Sequence, residues 1–369
     1  MSDTSLGENL RLLLVPGVGP RIRRNLLDFF GTAEEVFQAD FLSLCAVPEV
    51  GKKLAAAIED AKKIDVEREL DFCRQQGIHL LLDTDPGYPA GLKAIDDPPG
   101  ILFVRGTLLP QDAISLAVIG TRMPSRYGER QAKRLVGEFT QAGFCVVSGL
   151  ARGIDGIAHE AALDAGGRTV AVLGHGLAVD VYPPENRRLA RRILESGGAI
   201  LSEFLPRVSA TRGSFPQRNR IIAGMTLGTV VIEAGQRSGT SLTAHFALDY
   251  GREVFAVPGP IDSPVSAGCH QLIREGAKLL ESVDDVLDEL GPLTEKVPTV
   301  EGWNVSRPAE LSLSEEEKAI LSAIGETGTT VDQITRLTGL PVFRIMNLLT
   351  MLEMKRLVHR GAGQQVFRA

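Results

Sequence analysis

Between residues 116 and 280 short apolar runs alternate with amphipathic stretches. The runs are LAVIG at 116–120, CVVSG at 145–149, TVAVLG at 169–174, AILSE at 199–203, TVVIE at 229–233, EVFAVPG at 253–259 and AKLL at 277–280. Because they are apolar on successive positions rather than alternate ones, such strands must be covered on both faces. The intervening stretches carry apolar residues at helical spacing. This pattern predicts a parallel sheet sandwiched by helices across residues 79–290. Upstream, residues 1–78 contain a repeat offset by 32 positions. Leu12, Val15, Pro16, Val18, Gly19, Ile22 and Leu26 recur as Leu44, Val47, Pro48, Val50, Gly51, Leu54 and Ile58. Each copy reads as a helix end, a Pro/Gly turn and a second helix. Downstream, residues 291–310 carry three prolines and no apolar periodicity, the signature of a linker. Residues 311–369 read as three helices, Ser314 to Ile324, Thr330 to Thr338 and Pro341 to Leu357, followed by two strands turning at GAG.

The middle region is thus expected to be a Rossmann-like α/β core. The repeat resembles a pair of helix-hairpin-helix units (a SAM-like module), and the tail has a winged-helix pattern. In the repeat's second copy Glu49 replaces the glycine of PGVG, and a carboxylate there repels phosphate. DNA contact and protein contact both stay open for this module. They stay open for the winged helix as well, whose third helix offers mainly Arg344 and Asn347 to read bases.

The chain's 369 residues, 44% of them hydrophobic, suffice for more than one core. No apolar run reaches about 18 residues and no signal-peptide pattern opens the chain, so a cytoplasmic protein without membrane contact is expected. The formal charge is −6, yet eight arginines stand against two acids, Glu195 and Glu203, between Arg187 and Arg220. A local basic stripe on an acidic body suits a polyanion, although Arg187, Arg188, Arg191 and Arg192 also fit a solvated helix face. Cys45, Cys73, Cys145 and Cys269 are far apart with no CxxC pair, and no HxxxH or HExxH occurs. No metal and no cofactor are therefore expected.

The strand ends carry no enzyme signature. After the first run stands GTRMPSRYG, not GxGxxG, and no acid follows the next run to hold a ribose. Walker loops and GxSxG elbows are missing. What recurs is one chemical type: Gly120, Thr121 and Arg122; Ser148, Gly149, Arg152 and Gly153; Gly239, Thr240, Ser241 and Thr243. Glycine admits a phosphate to the backbone, hydroxyls donate to it, and arginine grips it bidentately. Arg212, Arg218, Asn219 and Arg220 add charge, and Phe215 offers an aromatic face for an unpaired base. Taken singly, a strand-to-helix turn of this kind is ordinary scaffolding and a phenylalanine is more often core. Asp155 and His159 read as a helix cap and a structural histidine.

The motifs GTRMPSRYG, SGLARGIDGIAHEAAL, VYPPEN, SFPQRNRIIAG, IEAGQRSGTSLTA and AVPGPID occur together and in order. They closely resemble the DNA-processing protein A family, DprA or Smf. The resemblance implies a single-stranded DNA-binding protein of natural transformation, a homodimer that protects incoming strands and helps load the RecA recombinase. It implies a DNA pocket at Gly120, Thr121, Arg122, Ser148, Gly149, Gly153, Arg212, Phe215, Arg218 and Asn219.

The expectation is accordingly a binding protein, not an enzyme. The rival is a nucleoside monophosphate phosphoribohydrolase on a related sheet. In that class a carboxylate is expected where Thr243 stands, so the main acid/base candidate is missing.

Overall fold

The computed structural model describes residues 3–236, 238–291, 296–298, 302–325, 328–355, 357–361 and 365–368. Six helices open the chain: α1 (Asp3–Leu14), α2 (Pro20–Phe30), α3 (Ala33–Gln38), α4 (Phe41–Ala46), α5 (Lys52–Ala61) and α6 (Val66–Gln75). The repeat seen in the sequence is a repeat in space. Val18 N–H donates to the Val15 carbonyl and Val50 N–H to the Val47 carbonyl, both at 3.1 Å. Val15, Val47, Leu12, Leu44, Leu26 and Ile58 share one buried cluster. Gly17 and Glu49 hold the same turn position with φ of 95° and 65°. Glu49 therefore adopts a left-handed backbone that disfavours a side chain, and its carboxylate pairs with Arg21 on α2.

The core follows as β1 (His79–Leu82), α7 (Ala90–Lys93), β2 (Ile101–Gly106), β3 (Ser115–Ile119), α8 (Arg126–Gln141), β4 (Cys145–Ser148), α9 (Ile154–Asp164), β5 (Thr169–Val172), α10 (Arg187–Glu195) and β6 (Ala199–Ser202). It continues through α11 (Ser214–Gly224), β7 (Gly228–Val231), α12 (Gly239–Asp249), β8 (Glu253–Ala256), α13 (Ala267–Arg274), β9 (Lys278–Leu279) and α14 (Val283–Leu290). One sheet takes all nine strands in the order β1-β2-β6-β5-β4-β3-β7-β8-β9. From β6 to β9 neighbours run parallel, as the doubly apolar runs require, and every residue of β3 to β7 is buried.

Two strands lie outside the pattern legible in the sequence. β1 and β2 pair antiparallel with each other, and β2 pairs antiparallel with β6. They precede the first helix-separated run and are joined by a Pro/Gly-rich stretch, so no helical period advertises them. The sheet is mixed at this edge, with a parallel body.

The expected linker is not free of the core. Among its described residues, β10 (Val297–Pro298) pairs with β11 (Asn304–Val305). Val305 is fully buried in the cluster of Phe139 and Phe144, with Trp303 and Val297 packed on it. Beyond it come α15 (Glu315–Ala323), β12 (Thr329–Thr330), α16 (Val331–Thr338), α17 (Val342–Met354), β13 (Val358–Arg360) and β14 (Gln365–Arg368), the strands forming one small sheet. This is the winged helix. Most of the GAG turn lies outside the described residues.

Candidate nucleic-acid interface

The chain enters the parallel body at β3, winds outward through β4, β5 and β6, then returns to place β7 on the other side of β3. The loops after β3 and β7 consequently diverge, leaving a crevice at the carboxyl ends of the strands, where open α/β sheets take ligands. A cavity of about 630 Å³ lies there. It is lined by Gly120, Thr121 and Arg122 after β3, by Ser238, Gly239, Thr240 and Thr243 at the start of α12, and by Phe215, Arg218, Asn219 and Ile222 of α11. The spacing 215, 218, 219 and 222 is one face of a helix, so α11 forms a wall. Arg212, Asp155 and Tyr182 also line it.

The loop 120–125 is held firmly. Thr121 N–H donates to the Glu233 carbonyl at 2.7 Å, and Thr240 Oγ1 donates to the Gly120 carbonyl at 3.1 Å. Gly153 sits against it with φ of 74°, and a Cβ there would collide with the Thr121 carbonyl oxygen. A glycine is thus required for the β4–α9 turn to reach the β3 loop.

Arg218 is buried, 4% exposed. Its Nη1 donates to the carbonyls of Gly149, at 2.6 Å, and of Val172, and its Nε to Asn219 Oδ1 at 3.2 Å. Nη2 makes no hydrogen bond among the described residues. Arg218 therefore ties α11 to the ends of β4 and β5 and also lines the cavity. Burial pulls its pKa down to about 10, against the pull of Asp155, which favours the charged form. Asp155 in turn accepts from the Gly149 and Ala151 N–H groups at 3.2 and 3.4 Å. Its burial raises its pKa, with the Arg218 charge opposing. The cap expected of Asp155 is not formed: α9 begins after Gly153 without a side-chain cap, and the Asp155 carboxylate instead holds the β4–α9 turn and faces the Arg218 charge.

Arg122 is exposed, and its guanidinium carbon lies 5.6 Å from the centroid of the Phe215 ring. Tyr182 also approaches that ring, its centroid 5.8 Å from that of Phe215. The described lining thus combines three arginines, one carboxylate and two aromatics. It is a cationic hollow with flat apolar faces, on a chain of net negative charge.

Not every expected residue lies in it. Ser148 is fully buried and its Oγ donates to the Val118 carbonyl at 2.6 Å, within the sheet. Gly149 makes room for Arg218, since a Cβ there would overlap the guanidinium. Arg152 is exposed and paired with Glu185 at 2.7 Å. Arg220 points away from the cavity and is buried against Glu203 and Asp97. Ser241, in the first turn of α12, is not among the lining residues, and its carbonyl lies 2.6 Å from His245 Nδ1. Tyr182 and Ser238 are site residues that the sequence reading misses. An aromatic ahead of PPEN is the signal for Tyr182, whose loop is pinned by Asn186 Nδ2 donating to the Leu150 and Ala151 carbonyls at 2.9 Å. Of the basic stripe on α10, Arg187 and Arg192 pair with Asp180 and Asp164.

The fold is thus an open α/β sheet of the class that takes ligands at its switch point, here with a cationic, aromatic-walled crevice at that place. Residues 79–291 match the family described as DNA recombination-mediator protein A. Residues 305–364 match the DprA winged helix domain, and residues 10–61 the SAM-like helix-hairpin-helix tandem. The chain is 40% identical over 289 residues to protein Smf of Escherichia coli, covering 78% of this chain and 77% of that one. It is 44% identical over 205 residues to the DNA processing protein DprA of Streptococcus pneumoniae, covering 56% of this chain and 72% of that one. The X-ray structure of the S. pneumoniae DprA superposes with a TM-score of 0.65 at 36% identity, covering 77% of this chain and 97% of that one. A Helicobacter pylori DNA processing protein A structure, described for its single-stranded DNA binding mode, gives 0.52 at 28% identity, covering 58% and 95%. The chain belongs to the DprA/Smf family.

Proposed function

We propose that the crevice at the carboxyl rim binds single-stranded DNA, with phosphates held by Arg122, Arg212, the outward edge of Arg218 and the turns at Gly120 and Gly239. The convergence of these groups around Phe215 and Tyr182 in one cavity carries the reading. Arginines and turn N–H groups bind phosphate whatever the base, and aromatic faces stack any unpaired base, so affinity comes without sequence preference. A duplex hides its bases and cannot use the aromatics.

We extend the proposal to the finer role that the family suggests. The protein protects single strands in transformation and recombination, acts as a homodimer and hands the strand to RecA in the cytoplasm. The absence of a helix long and apolar enough to cross a membrane, among the described residues, accords with this. Binding is favoured over nucleotide cleavage because Thr243 occupies the acid's expected place, and Asp155 is engaged with two backbone N–H groups and Arg218.

The test is filter binding of single-stranded and duplex DNA across salt. Single strands are expected to bind more tightly, with log K falling by about 0.7 per neutralised phosphate for each tenfold rise in salt. Equal affinity for duplex would contradict the proposal. Sizing with and without RecA tests the partner and the dimer.

A further inference from the structure

Glu233, just past β7, is 2% exposed, and among the described residues its carboxylate is held by hydrogen bonds to a serine and by no cation. A buried carboxylate without a cation is costly unless its oxygens are saturated by hydrogen bonds. Its Oε2 accepts from the Ser125 N–H at 2.9 Å and its Oε1 from the Ser125 Oγ at 2.5 Å. The Glu233 main-chain carbonyl accepts from Thr121 N–H at 2.7 Å. Ser125 is the cap of α8, its Oγ also accepting from Gly128 N–H at 3.1 Å, so the carboxylate sits at the positive end of that helix. Gly128 is fitted to it, since a Cβ there would overlap Oε2.

These contacts grip both ends of the loop 121–125, and Arg122 stands between them. Its side chain makes no hydrogen bond or ion pair among the described residues and rests against the Phe215 ring. An exposed arginine on a free loop would spread its charge over many positions, and holding the loop at Thr121 and Ser125 leaves only the side chain to order. The Glu233 carboxylate is chemically suited to this, because both of its oxygens accept and both of Ser125's groups donate.

We propose that Glu233 is a positioning residue for Arg122: it fixes the β3 loop so that the guanidinium is presented over Phe215 to a DNA phosphate. This rests on the reading of the crevice as a single-strand site. A carboxylate beside a phosphate site would by itself oppose binding, so the proposal runs against the simple electrostatic expectation that removing an acid tightens DNA.

The experiment is a double-mutant cycle on full-length protein, titrating a fluorescent single-stranded oligonucleotide across salt. The variants are Glu233→Ala, Arg122→Ala and the pair, with Ser125→Ala as the second route should Glu233→Ala fail to fold. Glu233→Ala and Ser125→Ala are expected to weaken binding, and Glu233→Ala to lower the salt slope by about 0.7, one phosphate's worth. In the Arg122→Ala background neither is expected to weaken binding further. Variants that lose stability but bind with unchanged affinity and slope would overturn the proposal, and so would tighter binding or losses that add to that of Arg122→Ala. If Arg122→Ala itself leaves binding unchanged, the crevice reading fails instead, which separates the two.

Discussion

Arg122 and Phe215 come from different elements, the loop after β3 and the first turn of α11, and meet with the guanidinium carbon 5.6 Å from the ring centroid. The pair puts a positive charge at the rim of a flat apolar face. A nucleotide needs both, one for its phosphate and one for its base. Phe215→Ala is expected to weaken single-strand binding by roughly 1–3 kcal/mol, the usual worth of one stacked base, with little change in salt slope. Arg122→Ala is also expected to weaken binding, but with a lower salt slope. Fluorescence anisotropy across salt separates them, and equal slopes for both variants would count against this division.

Arg218 is expected to behave differently from Arg122. Removing it leaves the Gly149 and Val172 carbonyls without their donor and Asp155 buried without its cation. Arg218→Ala should therefore cost about 1–3 kcal/mol of folding stability for each buried acceptor left without a donor. Arg122→Ala, being exposed, should cost within about 0.5 kcal/mol. Urea denaturation decides, and a near-neutral Arg218→Ala would refute its role as a clip. Binding is accordingly better tested with Arg122 and Arg212 than with Arg218.

Glu203 predicts a pH dependence. Burial pushes its carboxyl from the usual 4.5 up to about 7, with Arg220 pulling the other way. The folded state then holds the proton more tightly than the unfolded chain. This contribution is fully present below about pH 4.5 and is lost as pH rises to about 7, by about 3 kcal/mol at most. Glu203→Gln should flatten that part of the profile. Denaturation midpoints from about pH 4.5 to about pH 7.5, wild type against variant, measure it, and an unchanged slope would contradict the assignment.

How much is legible in the chain depends on what each residue's neighbours reveal along it. The strands from β3 to β8 announce themselves because strands covered on both faces are apolar at successive positions, whereas both residues of the edge strand β9 are exposed. β1 and β2 lie at an edge without a helix between them that a periodic pattern could mark. The glycine, hydroxyl and arginine turns at strand ends are readable as a site, because a parallel sheet brings those ends to one rim. Which residues face the ligand is less so. Arg218 and Arg220 are two positions apart and so point about 200° from one another around a helix. They could not both line one wall, and the structure sends Arg220 to Glu203 and Asp97. Gly149 and Ser148 serve contacts from other elements, to Arg218 and to Val118, that no local pattern encodes. Tyr182 reaches the cavity from the loop before α10 for the same reason.

The most direct measurement is photocrosslinking of a single-stranded oligonucleotide carrying 5-iododeoxyuridine, followed by peptide mapping. Crosslinks are expected on Phe215 and Tyr182, and they should fade in Phe215→Ala and at high salt. Crosslinks confined to the helical N-terminal module or to the winged helix, with none on the crevice, would contradict the account.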